Sequence, residues 1–206
     1  MQYIRSQFAN PRGPIGHLAG MLMAHMNHEL NQWAISILNI QADDHVLEIG
    51  FGPGEGIQQV IKLAHTGFVA GIDISETMLQ QAHDRNILAI NNKQVELKTG
   101  SVAHIPYADQ TFNKLLAVNS VQEWPHLENN LLELLRVLKP AGTAVITSQP
   151  RWIKSNKEAE QFGKTIITAM ANAGFQNTHL ATKSMQPILA VSAVGTKHDG
   201  VNKNGN

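Results

Sequence analysis

Apolar positions in the first part of the chain recur at helical steps. Between residues 15 and 38 they fall at Leu18, Leu22, Met26, Leu30, Trp33 and Ile37, three or four residues apart and so on one helical face. A long helix or a helix pair is predicted there. Residues 1–14 are polar and broken by Pro11, Gly13 and Pro14, which reads as an arm. The period then changes. Residues 45–49 and 68–73 are short apolar runs, the pattern of strands buried on both faces of a parallel sheet. Between them residues 54–65 read as a helix stopped near Gly67. Ser75 is a good N-cap for a helix running to about Arg85, with Glu76 favourable in its first turn. Strands are predicted at 95–98, 112–118 and 143–148, with a Leu-rich helix over 127–138 closed by the turn 139–142. Residues 156–173 are helical in pattern, with Gly174 placed to end the helix. Two last strands, 176–182 and 188–195, flank Pro187 with no helix between them.

Strands alternating with helices imply right-handed crossovers and a doubly wound, mostly parallel α/β sheet. The final pair, lacking a crossover, is expected as an antiparallel hairpin at one edge. The expected organisation is an arm and helical cap over 1–38, one α/β domain over 39–197, and a polar tail over 198–206.

Composition narrows the partners. The chain has 206 residues, 43% apolar and 16% charged, with 16 Lys+Arg balancing 16 Asp+Glu. A basic excess is usual for a protein held on a phosphate backbone; its absence argues against nucleic acid or an anionic membrane as the main partner. There is no cysteine, which removes disulfides, thiolate nucleophiles and cysteine-ligated metals. No leader-like apolar region follows Arg5, and no run of about 18 apolar residues spans a bilayer. A cytoplasmic protein is expected; oligomeric state is not readable.

The most informative segment is Val46-Leu-Glu-Ile-Gly-Phe-Gly-Pro-Gly-Glu-Gly56. A glycine turn between a strand and a helix lies where α/β sheets bind nucleotide-like ligands. Gly50, Gly52 and Gly54 lack the Cβ atoms that would obstruct a ligand. The dinucleotide fingerprint fails in both registers, its third position falling on Glu55 or Ile57, and no Gly-Lys-Ser/Thr follows for a phosphate loop. Glu48 precedes the turn, and Asp73 ends the next strand, where a carboxylate grips a ribose diol. Two acids disfavour a phosphate-rich ligand. They suit one with a cationic centre and a ribose, such as S-adenosylmethionine.

Glu-Ile-Gly-Phe-Gly-Pro-Gly at 48–54, Gly-Ile-Asp at 71–73, Gly-Ser at 100–101 and Arg-Val-Leu-Lys-Pro-Ala-Gly at 136–142 resemble the class I S-adenosylmethionine-dependent methyltransferases over roughly residues 40–195. The nearest likeness is to small bacterial members related to the ubiquinone and phospholipid-amine methyltransferases. The resemblance implies a seven-stranded sheet with an antiparallel last strand. It implies that Gly50, Gly52 and Gly54 wrap the methionine moiety, with Glu48 supporting its ammonium. Asp73 would hold the ribose; Ile74 and Met78 would cover adenine, with Ser101 and Val102 at its edge. Ser101 stands where the family often has Asp, so that contact is a neutral bond. Asn119, after the fourth parallel strand, would face the methyl donor.

Weaker signals concern the acceptor. No catalytic side chain is demanded, because a sulfonium methyl is already activated. His126, Glu123 and His25 are the candidates for a base. Trp124 and Trp152 are expected walls of the acceptor pocket, with Met26 contributed by the cap, although the indoles equally suit core packing. His25 and His28 lack a metal-binding frame, and no metal is expected. The leading function is methyl transfer to a small, partly apolar molecule by in-line displacement. The alternatives are a non-catalytic S-adenosylmethionine-binding partner of a larger complex, and an RNA or protein methyltransferase.

Overall fold

The computed structural model describes residues 27–150 and 152–200. The predicted arm, the first part of the cap helix, His25, Met26 and Arg151 lie outside the described residues. Elements follow in the order α1 (27–38), β1 (His45–Ile49), α2 (Glu55–Leu63), β2 (Phe68–Asp73), α3 (Glu76–Asn91), β3 (Val95–Thr99), β4 (Phe112–Val118), α4 (Leu127–Val137), β5 (Leu138–Ser148), α5 (Asn156–Ala173), β6 (Gln176–Lys183) and β7 (Ala190–Thr196).

The seven strands form one sheet in the order β3-β2-β1-β4-β5-β7-β6. β1 to β5 pair in parallel. β7 runs antiparallel between β5 and β6, as the missing crossover requires. The apolar runs are apolar throughout because both faces are covered. Val46, Val69, Leu116 and Val145 point to a core shared with α1, α2 and α3. Their neighbours Leu47, Ala70, Leu115 and Ala144 point to the opposite core under α4 and α5. Strand order reverses between β1 and β4, which opens a crevice at the carboxyl ends of those strands.

Three boundaries depart from the sequence expectation. α3 continues past Arg85 to Asn91 through a non-helical Asn86. There the Asn86 carboxamide donates to Ala82 O at 2.8 Å and Gly54 O at 3.1 Å. This local bond bends the helix without ending it. β5 begins at Leu138, directly after α4. The register jumps from Phe112↔Leu138 to Lys114↔Thr143, so the expected turn at 139–142 is a bulge inside the strand, with Ala141 at φ 61°. In α1 the buried positions are Leu30, Ala34, Ile35 and Leu38, whereas Trp33 and Ile37 are half-buried. The helix is rotated from its expected apolar face because Asn31 turns inward.

Two basic side chains tie loops to the frame. Arg136 donates to Ile105 O, Tyr107 O and Asp109, and pairs with Glu133 at 2.8 Å, holding the segment that follows Ser101. Past β7, Lys197 donates to Leu135 O at 2.7 Å and Leu138 O at 2.8 Å.

Candidate functional site

β1 ends in the glycine turn. Gly50 adopts φ 75° and donates its N–H to Ile72 O at 2.8 Å. A Cβ there would sit 2.6 Å from Ser120 Cβ, so glycine is required both by conformation and by space. Ser120 itself donates to Ile49 O at 2.8 Å, which fastens the loop after β4 to the end of β1. Behind the turn, Arg85 donates to Pro53 O at 2.9 Å and Asn86 to Gly54 O. α3 therefore fixes the loop from the side away from the crevice.

Asp73, at the end of β2, accepts from Gly52 N at 2.8 Å and from Ser75 N at 2.9 Å. One carboxylate thus sets the glycine turn and the entry of α3 together. Asn119 closes β4 in the left-handed region at φ 50°. Its carboxamide accepts from Gln149 N at 2.8 Å and donates to Asn27 Oδ1 at 3.0 Å. Asn27 brings the start of α1 to the crevice.

These segments enclose a cavity of about 290 Å³ at the carboxyl end of the sheet, at the lower end of the range for small-molecule sites. Its walls include Glu48, Gly50, Gly52, Asp73, Ile74, Met78, Ser101, Val102, Asn119, Glu123 and Trp124, all predicted from the sequence. They also include Asn27, Asn31, Phe51 and Glu55, which were not. Met78 and Val102 are buried, and Ile74 stands half-exposed at the rim.

Acidic side chains line this cavity. Glu48, Glu55 and Asp73 are all buried. Burial, then the nearby Glu55 and Asp73, pushes the Glu48 carboxyl well above its usual range. Burial also raises Asp73, outweighing the backbone N–H groups of Ser75, Gly52 and Ile74 that favour its anion. Among the described residues, Glu48 Oε2 is buried with no hydrogen-bond partner. A buried acceptor in that state calls for a donor from a ligand. Gly56 leaves room for this carboxylate, since a Cβ there would collide with both Glu48 oxygens.

Several predicted residues are placed elsewhere. Gly54 does not line the cavity; it is the N-cap of α2 at φ 78°, and a Cβ on it would strike Ala82 Cβ at 2.6 Å. Its lack of a side chain serves helix packing. His126 caps α4 and faces a separate cleft between α4 and α5. Trp152 is 53% exposed and packs edge-on against Phe162 of α5, because the chain after β5 turns toward that helix and away from the crevice. Trp124 both lines the cavity and packs on the core under α4.

Residues 46–142 match the family model for a methyltransferase domain. The chain is 36% identical over 181 residues to the uncharacterized methyltransferase YdaC of Bacillus subtilis (strain 168), covering 87% of this chain and 98% of that one. It is 35% identical over 117 residues to a demethylmenaquinone methyltransferase of Lactobacillus johnsonii, covering 55% of this chain and 48% of that one, so it spans about half the length of that relative. Among solved structures, an S-adenosylmethionine-dependent methyltransferase from Aquifex aeolicus superimposes with a TM-score of 0.65 at 20% identity, over 81% of this chain and 88% of that one. That likeness concerns the fold. With 36% identity to a methyltransferase over nearly that protein's full length on one side and the sheet order on the other, the chain belongs to the class I S-adenosylmethionine-dependent methyltransferases.

Proposed function

We propose that this enzyme transfers the methyl group of S-adenosylmethionine to a small, partly apolar acceptor, and that the cavity beside the glycine turn holds the donor. The observation that carries the assignment is Glu48 Oε2, which has no hydrogen-bond partner among the described residues and is buried among two further carboxylates. A site of this kind is satisfied by a ligand bearing positive charge and N–H donors, and S-adenosylmethionine has both. The residues fit the rest of the molecule. Glu48 and the backbone of Gly50 and Gly52 would take the methionine end. Asp73 would accept from the ribose hydroxyls with lone pairs left over from its two backbone bonds. Ile74 and Met78 would cover adenine, with Ser101 and Val102 at its edge.

The bound donor supplies a methyl group activated by its sulfonium, so the protein's main task is alignment, which can contribute about 7–11 kcal/mol. Asn119, with both ends of its carboxamide engaged, holds the wall of the transfer site still. Trp124 offers the acceptor an apolar or cation-attracting face. Glu123, exposed at the cavity wall, is placed to receive a proton from acceptors that carry one. Demethylmenaquinone, from which the Lactobacillus johnsonii relative takes its name, is one molecule of this description.

The direct test is retention of labelled S-adenosylmethionine by purified protein, followed by turnover to S-adenosylhomocysteine on fractionated metabolites. Failure to retain the donor at saturation overturns the assignment. Trp124→Ala is expected to raise the KM for the acceptor found in that screen about tenfold, in line with about 0.5–2 kcal/mol for an aromatic wall, while donor affinity stays at the wild-type value. An unchanged KM removes Trp124 from the acceptor site.

Donor binding should depend on pH with a definite sign. Glu48 and Asp73 have raised pKa values in the free protein, so they hold protons above the ordinary carboxylate range. A cation favours their ionised forms. Binding therefore releases protons, and affinity rises with pH until both groups are ionised. The free protein has the opposite trend: it binds more protons than the unfolded chain across this window, so its stability falls as pH rises. Calorimetry in two buffers of different ionisation enthalpy measures the protons released; net proton uptake would contradict the assignment.

A further inference from the structure

Glu55 is held by three side chains at the cavity, and no role in the cofactor site proposed above accounts for it. It lies in the first turn of α2 and is 8% exposed. His28 Nδ1 is 2.5 Å from its Oε1, Asn31 Nδ2 donates to Oε2 at 2.5 Å, and Gln59 Nε2 donates to Oε1. A carboxylate is favoured at a helix N-terminus on dipole grounds alone, but that purpose needs no donors from a different helix. Here two of the three come from α1. Placing a third acid beside Glu48 and Asp73 is unfavourable in itself, and the α1 donors offset that repulsion.

Asn27 and Asn31 are one helical turn apart and both line the cavity. Asn31 reaches Glu55 on the β1 side, and Asn27 reaches Asn119 on the β4 side. The turn of α1 that carries them therefore bridges the two loops flanking the crevice. The remainder of α1 is held by Leu30, Ala34 and Leu38 in the core, so these polar ties decide where that turn sits and not whether the helix packs.

We propose that Glu55 is a positioning residue. It seats the 27–31 turn of α1 against the glycine turn, so that Asn27 and Asn31 complete the wall around the methyl donor. The inference rests on the assignment of this cavity to S-adenosylmethionine, and its test separates the two. S-adenosylhomocysteine is titrated calorimetrically into the full chain and into Glu55→Gln, Asn31→Ala and the double variant, with amide hydrogen exchange followed over residues 27–33. Each single variant should weaken binding about tenfold. The double variant should be no worse than the weaker single by more than about twofold, because both changes break one tie. Ligand-induced protection of residues 27–33 should be lost in all three.

Glu29→Gln serves as the comparison. It removes an exposed ion pair with Lys183 at 3.0 Å on the same stretch of α1 and should leave affinity and protection as in the wild type. Multiplying losses in the double variant, or wild-type protection in Glu55→Gln, would overturn the positioning role. If Glu55→Gln does not fold, His28→Ala paired with Asn31→Ala gives the same reading from the α1 side: tenfold weakening with lost protection supports the role, and wild-type behaviour overturns it. Absence of binding by the wild type would instead overturn the cofactor assignment.

Discussion

Asp73→Ala should abolish measurable donor binding at micromolar concentrations. A carboxylate accepting two ribose hydroxyls contributes about 1.5–3 kcal/mol per bond, so losing both corresponds to roughly 10²–10⁴-fold in affinity. The same substitution frees the N–H groups of Gly52 and Ser75, which Asp73 holds at 2.8 and 2.9 Å, so the glycine turn loses its fastening as well. Removing an acid that burial already disfavours works in the other direction for stability. Affinity should therefore fall far more than the melting temperature. Asp73→Asn, which keeps one acceptor oxygen, should fall between. Calorimetric titration with S-adenosylhomocysteine, alongside a thermal melt, distinguishes the two effects; wild-type affinity in Asp73→Ala would remove this residue from the site.

Gly50→Ala should be strongly destabilising. An L side chain in the left-handed region costs about 1–2 kcal/mol, and Gly50 has φ 75°. The added Cβ would lie 2.6 Å from Ser120 Cβ, an overlap of the kind that costs about 1–3 kcal/mol to relieve. Ser120 cannot retreat freely while its hydroxyl is bonded to Ile49 O. Together these terms amount to about 2–5 kcal/mol, or a fall of roughly 4–20 °C in Tm for a chain of this size. A melt within about 2 °C of the wild type would mean that the turn relaxes without the loop after β4.

The sheet was legible because its signals are local. Runs such as Val46-Leu-Glu-Ile49 are apolar on both faces only when helices cover both faces, and β6 and β7 have too few residues between them for a crossover. The glycine turn and Asp73 were legible because strand, bend and acid occur at fixed offsets along the chain. Glu55 was not, because its significance lies in His28 and Asn31, which are 27 and 24 residues away and show no spacing that points to it. The one available signal was the polar cluster Asn27-His28…Asn31 at the start of an amphipathic helix. Trp152 shows the converse. A tryptophan shortly after a strand reads as a pocket wall, yet its position is decided by where α5 packs and by Phe162. Gly54 carries a third lesson, since the helix behind it also leaves no room for a Cβ, a constraint that no local pattern displays.

The reversed direction of β7 has a practical corollary. Its last residue, Thr196, pairs with Thr143 just past the bulge of β5, and Lys197 is clamped to the final turn of α4 and the first residue of β5. Lys197 therefore sits at the pole opposite the crevice at the carboxyl ends of the parallel strands. A fluorophore, an affinity handle or a tether to a solid support joined next to Lys197 is anchored at that pole, so immobilised protein can be screened against candidate acceptors.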